Sequence, residues 1–114
     1  MAEYLVLTLD VDDPDVQQAF WCGALGYDHV GGVGNYRMLT DPAGRQPRLL
    51  LQKVAEHKTA KNRLHLDLHV PEHEAEVARL QALGATLVQR VDEFGMIWFV
   101  MHDPEGNEFC VCAV

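Results

Sequence analysis

The sequence predicts an α+β fold: two βαβββ modules that form a cupped mixed β-sheet, with the helices on its outer face. Three observations carry that prediction. Short motifs recur, Ala24-Leu25-Gly26 as Ala82-Leu83-Gly84 and Asp41-Pro42-Ala43-Gly44 as Asp103-Pro104-Glu105-Gly106, each pair separated by roughly sixty residues. In both copies the Ala-Leu-Gly comes first, and the Asp-Pro-x-Gly follows an alternating apolar segment. Both copies also begin with a period-two stretch that gives way to helical spacing. Two similar modules facing one another would enclose a site, and function is expected there.

The elements follow in order. From Glu3 to Val11 the chain alternates, with Leu5, Leu7, Leu9 and Val11 on one strand face and Val6, Thr8 and Asp10 on the other. Asp13-Pro14 offers a helix start, with Asp as N-cap and Pro at the first helical position. Val16, Ala19 and Phe20 fall at helical spacing, and Gly26 supplies the stop. Phe20 is expected in the core and Trp21 at its rim. Short strands are predicted at Tyr27–Val30, Asn35–Thr40 and Arg48–Val54, the last two separated by the Asp-Pro-x-Gly turn. The glycine run from Gly31 to Gly34 lacks the helix that a phosphate cradle needs, so it reads as a loop. The polar segment Ala55–Asn62 reads as the linker between a module at about 3–54 and one at about 63–114 of a single domain, 1–114.

The second copy repeats the order. Arg63–Val70 alternates, Pro71–Leu83 is helical with Val77 and Leu80 inward, and Gly84 ends it. Strands are predicted at Ala85–Arg90, Met96–His102 and Glu108–Ala113. A helix covers one face of each small sheet. Leu64, Leu66, Leu68 and Val70 are therefore expected under helices, with His65, Asp67 and His69 on the open face.

Bulk properties bound the function. A chain of 114 residues suits one compact domain burying about two thirds of its unfolded surface, whereas either half alone would be marginal. The net charge of −8 and the lack of any Lys/Arg cluster exclude nucleic acid, whose binding rests on those residues. No apolar run reaches membrane-spanning length and no signal segment is evident, so no membrane association is expected. Cys22, Cys110 and Cys112 are odd in number and without Cys-x-x-Cys spacing, which points to a reducing, cytoplasmic location.

The pattern resembles the vicinal oxygen chelate superfamily of glyoxalases, bleomycin-resistance proteins and extradiol dioxygenases over essentially the whole chain. The resemblance rests on Phe20-Trp21 before Leu25-Gly26-Tyr27 and on Asp103-Pro104-Glu105-Gly106-Asn107 before the last strand. Lys61–Leu68 and Asn107-Glu108-Phe109-Cys110 are closest to a glyoxalase-like subgroup. The resemblance implies a divalent-metal site built from the inward residues of each module's first and last strands, and it implies a homodimer. Matching the two copies places Val6 opposite His65 and Gln52 opposite Cys110. Valine cannot ligate and Gln is a poor transition-metal ligand, so the set Val6, Gln52, His65 and Cys110 departs from the family's His/Glu pattern.

Candidate residues each carry two readings. His65 and Asp67 sit about 7 Å apart along one strand face and could share a metal, or simply line a polar cup. Cys110 could serve as a nucleophile with His65 as base, or as a small packing residue. Glu108 could act as general base or ligand anchor, or stand in water beside its turn. Tyr36 and Trp98 each precede a turn aspartate by five residues; they could stack on a ligand or pack under a helix. The expected function is binding of a small organic molecule in the cup by Val6, Thr8, Tyr36, Gln52, His65, Asp67, Trp98 and Cys110, without a cofactor. The alternative is a metal-dependent lyase, isomerase or dioxygenase-like enzyme with His65 and Glu108 catalytic and a divalent metal held by His65, Glu108 and Cys110.

Overall fold

The computed structural model describes residues 1–114. In chain order the elements are β1 (Val6–Val11), α1 (Pro14–Leu25), β2 (Asp28–Gly31), β3 (Tyr36–Thr40), β4 (Arg48–Lys53), β5 (Leu66–Val70), α2 (His73–Ala82), β6 (Thr86–Glu93), β7 (Met96–His102) and β8 (Glu108–Ala113). They fall into two compact units, Met1–His57 and Lys58–Val114, whose boundary lies in the polar segment 55–62. Each unit is βαβββ, as predicted.

In the first unit the sheet order is β1-β4-β3-β2. β1 runs parallel to β4, with Val6 beside Arg48 and Asp10 beside Gln52, while β3 is antiparallel to β4 and β2 to β3. Leu7 and Leu9 are half-buried, Val11 is buried, and Leu39, Leu49 and Leu51 are buried against α1. Leu5 lies before the strand and is exposed rather than part of that row.

Asp13 caps α1 through its carboxylate, which accepts from the backbone N–H groups of Asp15 and Val16 at 3.1 and 3.2 Å. Gly26, at φ 68°, closes the helix in the left-handed conformation that glycine adopts without a Cβ clash. The buried stripe of α1 is Gln17, Phe20, Trp21 and Ala24, an i, i+3, i+4, i+7 set. Val16 and Ala19, expected to face inward, are exposed. Trp21 is only 2% exposed, so it belongs to the core rather than the rim, stacked edge-to-face on Phe20 at 5.1 Å.

The second unit repeats the plan with order β5-β8-β7-β6. β5 is parallel to β8, pairing Asp67 with Cys110 and His69 with Cys112, and β7 is antiparallel to β8. Phe99, Met101, Phe109 and Val111 are buried with Val77 and Leu80 of α2, and the His73 ring lies edge-on to Phe99 at 5.4 Å. β5 starts at Leu66 rather than Arg63, which leaves Leu64 exposed and outside the core row. α2 starts at His73 rather than Pro71, and Glu72 before it makes no side-chain cap.

β6 extends past Arg90 to Glu93. Glu93 pairs with Met96 across a two-residue turn in which Phe94 and Gly95 both have positive φ, 55° and 72°. The two Asp-Pro-x-Gly turns are held by their aspartates. Asp41 accepts from the backbone of Ala43, Arg45 and Gln46, and Asp103 accepts from the backbone of Glu105 and Asn107 and from the Asn107 amide.

Candidate functional site

Period-two alternation on paired strands decides what the helix-free face of each sheet carries. In the second unit Phe99 faces α2, so its neighbours Trp98 and Val100 face the other way. The register puts Asp67, Cys110 and Val100 in one row and His69, Cys112 and Trp98 in the next. His65 precedes the strand, and its Nε2 lies 3.2 Å from Asp67 Oδ1. His65, Asp67 and Cys110 bring ligand-capable atoms within 4.8 Å of one another, and so do Asp67, His69 and Cys112. Asp67 belongs to both groups.

In the first unit Arg37 hydrogen-bonds to Asp15 and Gln18 of α1 and so faces the helix. Tyr36 therefore lies on the helix-free face, where the Gln52 amide donates to its hydroxyl at 3.2 Å. Val6, Thr8 and Asp10 alternate along β1 on that face and are exposed. Because Asp10 pairs with Gln52 and His69 with Cys112, the counterpart of Gln52 is Cys112, not Cys110. Cys110 corresponds instead to Leu50, which pairs with Thr8 as Cys110 does with Asp67.

Glu108 sits apart from both ligand-capable groups. Its carboxylate accepts from Lys58 Nζ at 3.0 Å and from the Asn62 backbone N–H at 2.9 Å, and its side chain is 13% exposed. Burial opposes its ionisation, but the Asn62 N–H, the Lys58 ammonium and its own backbone N–H outweigh that and hold it down at about 2. A carboxylate so fully engaged is a weak base and has little reason to leave its donors. Asn62 also donates through its amide to Asn107 at 3.0 Å, so the segment before β5 is tied to the last turn and β8.

The thiols lean the other way. Burial, then the Asp67 and Cys112 charges and a hydrogen bond to Asp67, push Cys110 up to about 11 against a smaller opposing effect of Lys61. Burial and Asp67 also raise Cys112. A neutral thiol is a poor nucleophile, so the pairing of Cys110 with a His65 base has little to work on.

A family-type metal set would draw on both units, and the donors do not fit it. At the first unit's positions stand Val6 and Leu50, which offer no donor atom, with Thr8 and Gln52 beside them. The second unit alone supplies His, Asp and Cys. Lys58 and Asn62 were not foreseen as site-organising residues, for they lie in a segment without hydrophobic period. His69 and Cys112 follow from the same alternation that marks Asp67 and Cys110.

Comparison with known proteins agrees with this architecture. A family model described as a glyoxalase-like domain matches residues 6–112. A glyoxalase/bleomycin resistance protein/dioxygenase family enzyme from Burkholderia phytofirmans PsJN superposes with a TM-score of 0.78 at 20% identity, covering 96% of each chain. The fosfomycin resistance protein FosX from Listeria monocytogenes superposes with a TM-score of 0.81 at 14% identity, covering 100% of this chain and 94% of that one. A mutant of that FosX was crystallised with Mn(II) and 1S,2S-dihydroxypropylphosphonic acid; it superposes with a TM-score of 0.81 at 14% identity, covering 98% and 90%. No curated protein matches the chain. At these identities the superpositions speak for the fold, while the family match spans nearly all of the sequence: the chain belongs to the glyoxalase-like domain family of the vicinal oxygen chelate fold.

Proposed function

We propose that this protein binds a small organic molecule on its helix-free sheet surface, without the four-strand metal set that the family resemblance implies. The observation that carries this reading is the unequal chemistry of the two repeats. Where the second unit has His65, Asp67 and Cys110, the first has Val6, Thr8 and Leu50. Tyr36, 43% exposed and hydrogen-bonded to Gln52, offers a ring and a hydroxyl. Trp98, the register partner of Cys112, offers an indole ring and its N–H. Aromatic faces with a few placed polar groups are what a small-molecule site requires. In this reading Val6, Thr8, Tyr36 and Gln52 are the candidate contacts on the first unit's helix-free face, and His65, Asp67, Trp98 and Cys110 those on the second's.

The alternative, a metal-dependent lyase, isomerase or dioxygenase-like enzyme using His65 and Glu108, would require Glu108 to leave Lys58 and Asn62. Its engagement there weighs against a catalytic role. The three free cysteines favour a cytoplasmic setting, and the resemblance to dimeric relatives favours a homodimer.

The test is a thermal-shift screen of small organic acids and aromatics in the presence of chelator, followed by titration of each hit. Binding is expected to persist under chelation and to weaken at least about tenfold in Trp98→Ala. Hits that vanish on chelation would favour the metal-dependent enzyme. Hits indifferent to both Trp98→Ala and Tyr36→Ala would remove the binding surface proposed.

A further inference from the structure

Asp67, His69 and Cys112 form a group of their own, one row along the sheet from His65 and Cys110. We propose that these three side chains are a binding site for a thiophilic divalent cation of the zinc type, contained within the second unit and sharing only Asp67 with the small-molecule surface.

The backbone does most of the positioning. His69 and Cys112 are direct register partners on the parallel pair β5–β8, and Asp67 lies two residues before His69 on the same face. Their ligand-capable atoms lie within 4.8 Å of one another. Donors on one tetrahedral zinc sit about 3.5 Å apart, so side-chain adjustment of about an ångström closes the shell. Two of the three donors are also oriented from outside the shell. His69 Nδ1 lies 3.0 Å from the Ala113 carbonyl oxygen. A carbonyl can only accept, so Nδ1 carries the hydrogen and Nε2 is the ring nitrogen left to face a metal. Asp67 Oδ1 is held by His65, and a carboxylate has a second oxygen to give.

The donor chemistry selects the cation. One sulfur, one imidazole nitrogen and one carboxylate oxygen suit zinc or its cobalt substitute, whereas magnesium, calcium and manganese prefer all-oxygen shells. Three protein donors leave the fourth tetrahedral position to water. On binding, the Cys112 S–H bond breaks, the sulfur keeps the electron pair for the metal, and the proton passes to solvent. No oxidant or reductant is involved.

The first unit lacks this arrangement. At the equivalent positions it carries Thr8, Asp10 and Gln52, where only Asp10 offers an anionic donor.

The experiment titrates the full, metal-free chain with Co(II) and then displaces it with Zn(II), following the thiolate-to-cobalt charge-transfer band and Trp98 emission. Cys112→Ser and His69→Gln are expected to weaken binding at least about tenfold, and Cys112→Ser to abolish the band. Cys110→Ser is expected to retain it. Proton release on binding, read by calorimetry in two buffers of different ionisation enthalpy, is the second readout. Should circular dichroism show Cys112→Ser unfolded, His69→Gln decides. Absence of a charge-transfer band in the wild type, its survival in Cys112→Ser, or its loss in Cys110→Ser alone would each overturn the site. Small-molecule binding under chelation is scored separately, so either proposal can fail without the other.

Discussion

Glu108 is a carboxylate that the sequence offers as a general base and that the fold engages with two donors. It opens the last strand, and its oxygens hold Lys58 and the Asn62 N–H, which come from 50 and 46 residues away in the chain. Since its folded-state value lies near 2 and the ordinary value is 4.5, it stabilises the fold fully above about 4.5. That contribution fades as pH falls through the window down to about 2. At neutral pH it is on the order of 3 kcal/mol for a group this well covered. Denaturant unfolding from pH 7 down to pH 2.5 should therefore show Glu108→Gln less stable than wild type at pH 7, with the difference shrinking steadily as acid is added. A difference independent of pH would show that the carboxylate charge contributes nothing. The partners were not legible beforehand, because Ala55–Asn62 has no hydrophobic period and long-range polar contacts leave no local pattern.

Among the elements, α1 shows where pattern reading succeeds and where it slips. Asp13-Pro14 and Gly26 bounded the helix correctly, because capping chemistry is local. The buried stripe was misjudged by one residue, because Val16 is apolar and Gln17 is not, yet Gln17 is the one fully buried. Position relative to Phe20, Trp21 and Ala24 overrides side-chain polarity here. The consequence is measurable. Phe20→Ala should cost about 3–5 kcal/mol through lost burial and an unfilled cavity, whereas Val16→Ala, at a site 44% exposed, should cost less than about 1 kcal/mol. Equal losses in urea denaturation would mean that the helix presents a different face. β7 and β8 were readable to the residue because each is an apolar run bounded by turn residues. The end of β6 was not, because a Phe-Gly turn lacks the Asn-Gly or Asp-Gly signal of a two-residue hairpin.

At the scale of the whole molecule, net charge and sheet edges pull against each other. Each four-stranded sheet ends in strands paired on one side only, β1 and β2 in the first unit, β5 and β6 in the second. Such edges invite pairing with another chain unless they are blunted. β6 is blunted by a register shift between Leu87 and Gln89 and by Arg90, Asp92 and Glu93, and β2 by its shortness and its own shift between His29 and Gly31. β1 and β5 carry no such interruption in their registers, so the homodimer implied by the family resemblance has open edges to use. A net charge of −8 on each copy opposes that association, because like charges repel when two copies meet. Salt screens this repulsion over about 8 Å at physiological ionic strength, but leaves backbone pairing and apolar burial largely intact. The dimer should therefore strengthen from low salt to about 0.15 M salt, with light scattering approaching twice the 12.8 kDa chain mass. A mass that stays at one chain across concentration and salt would reject the dimer. Dissociation on adding salt would show instead that ion pairs, not strand edges, hold the copies together.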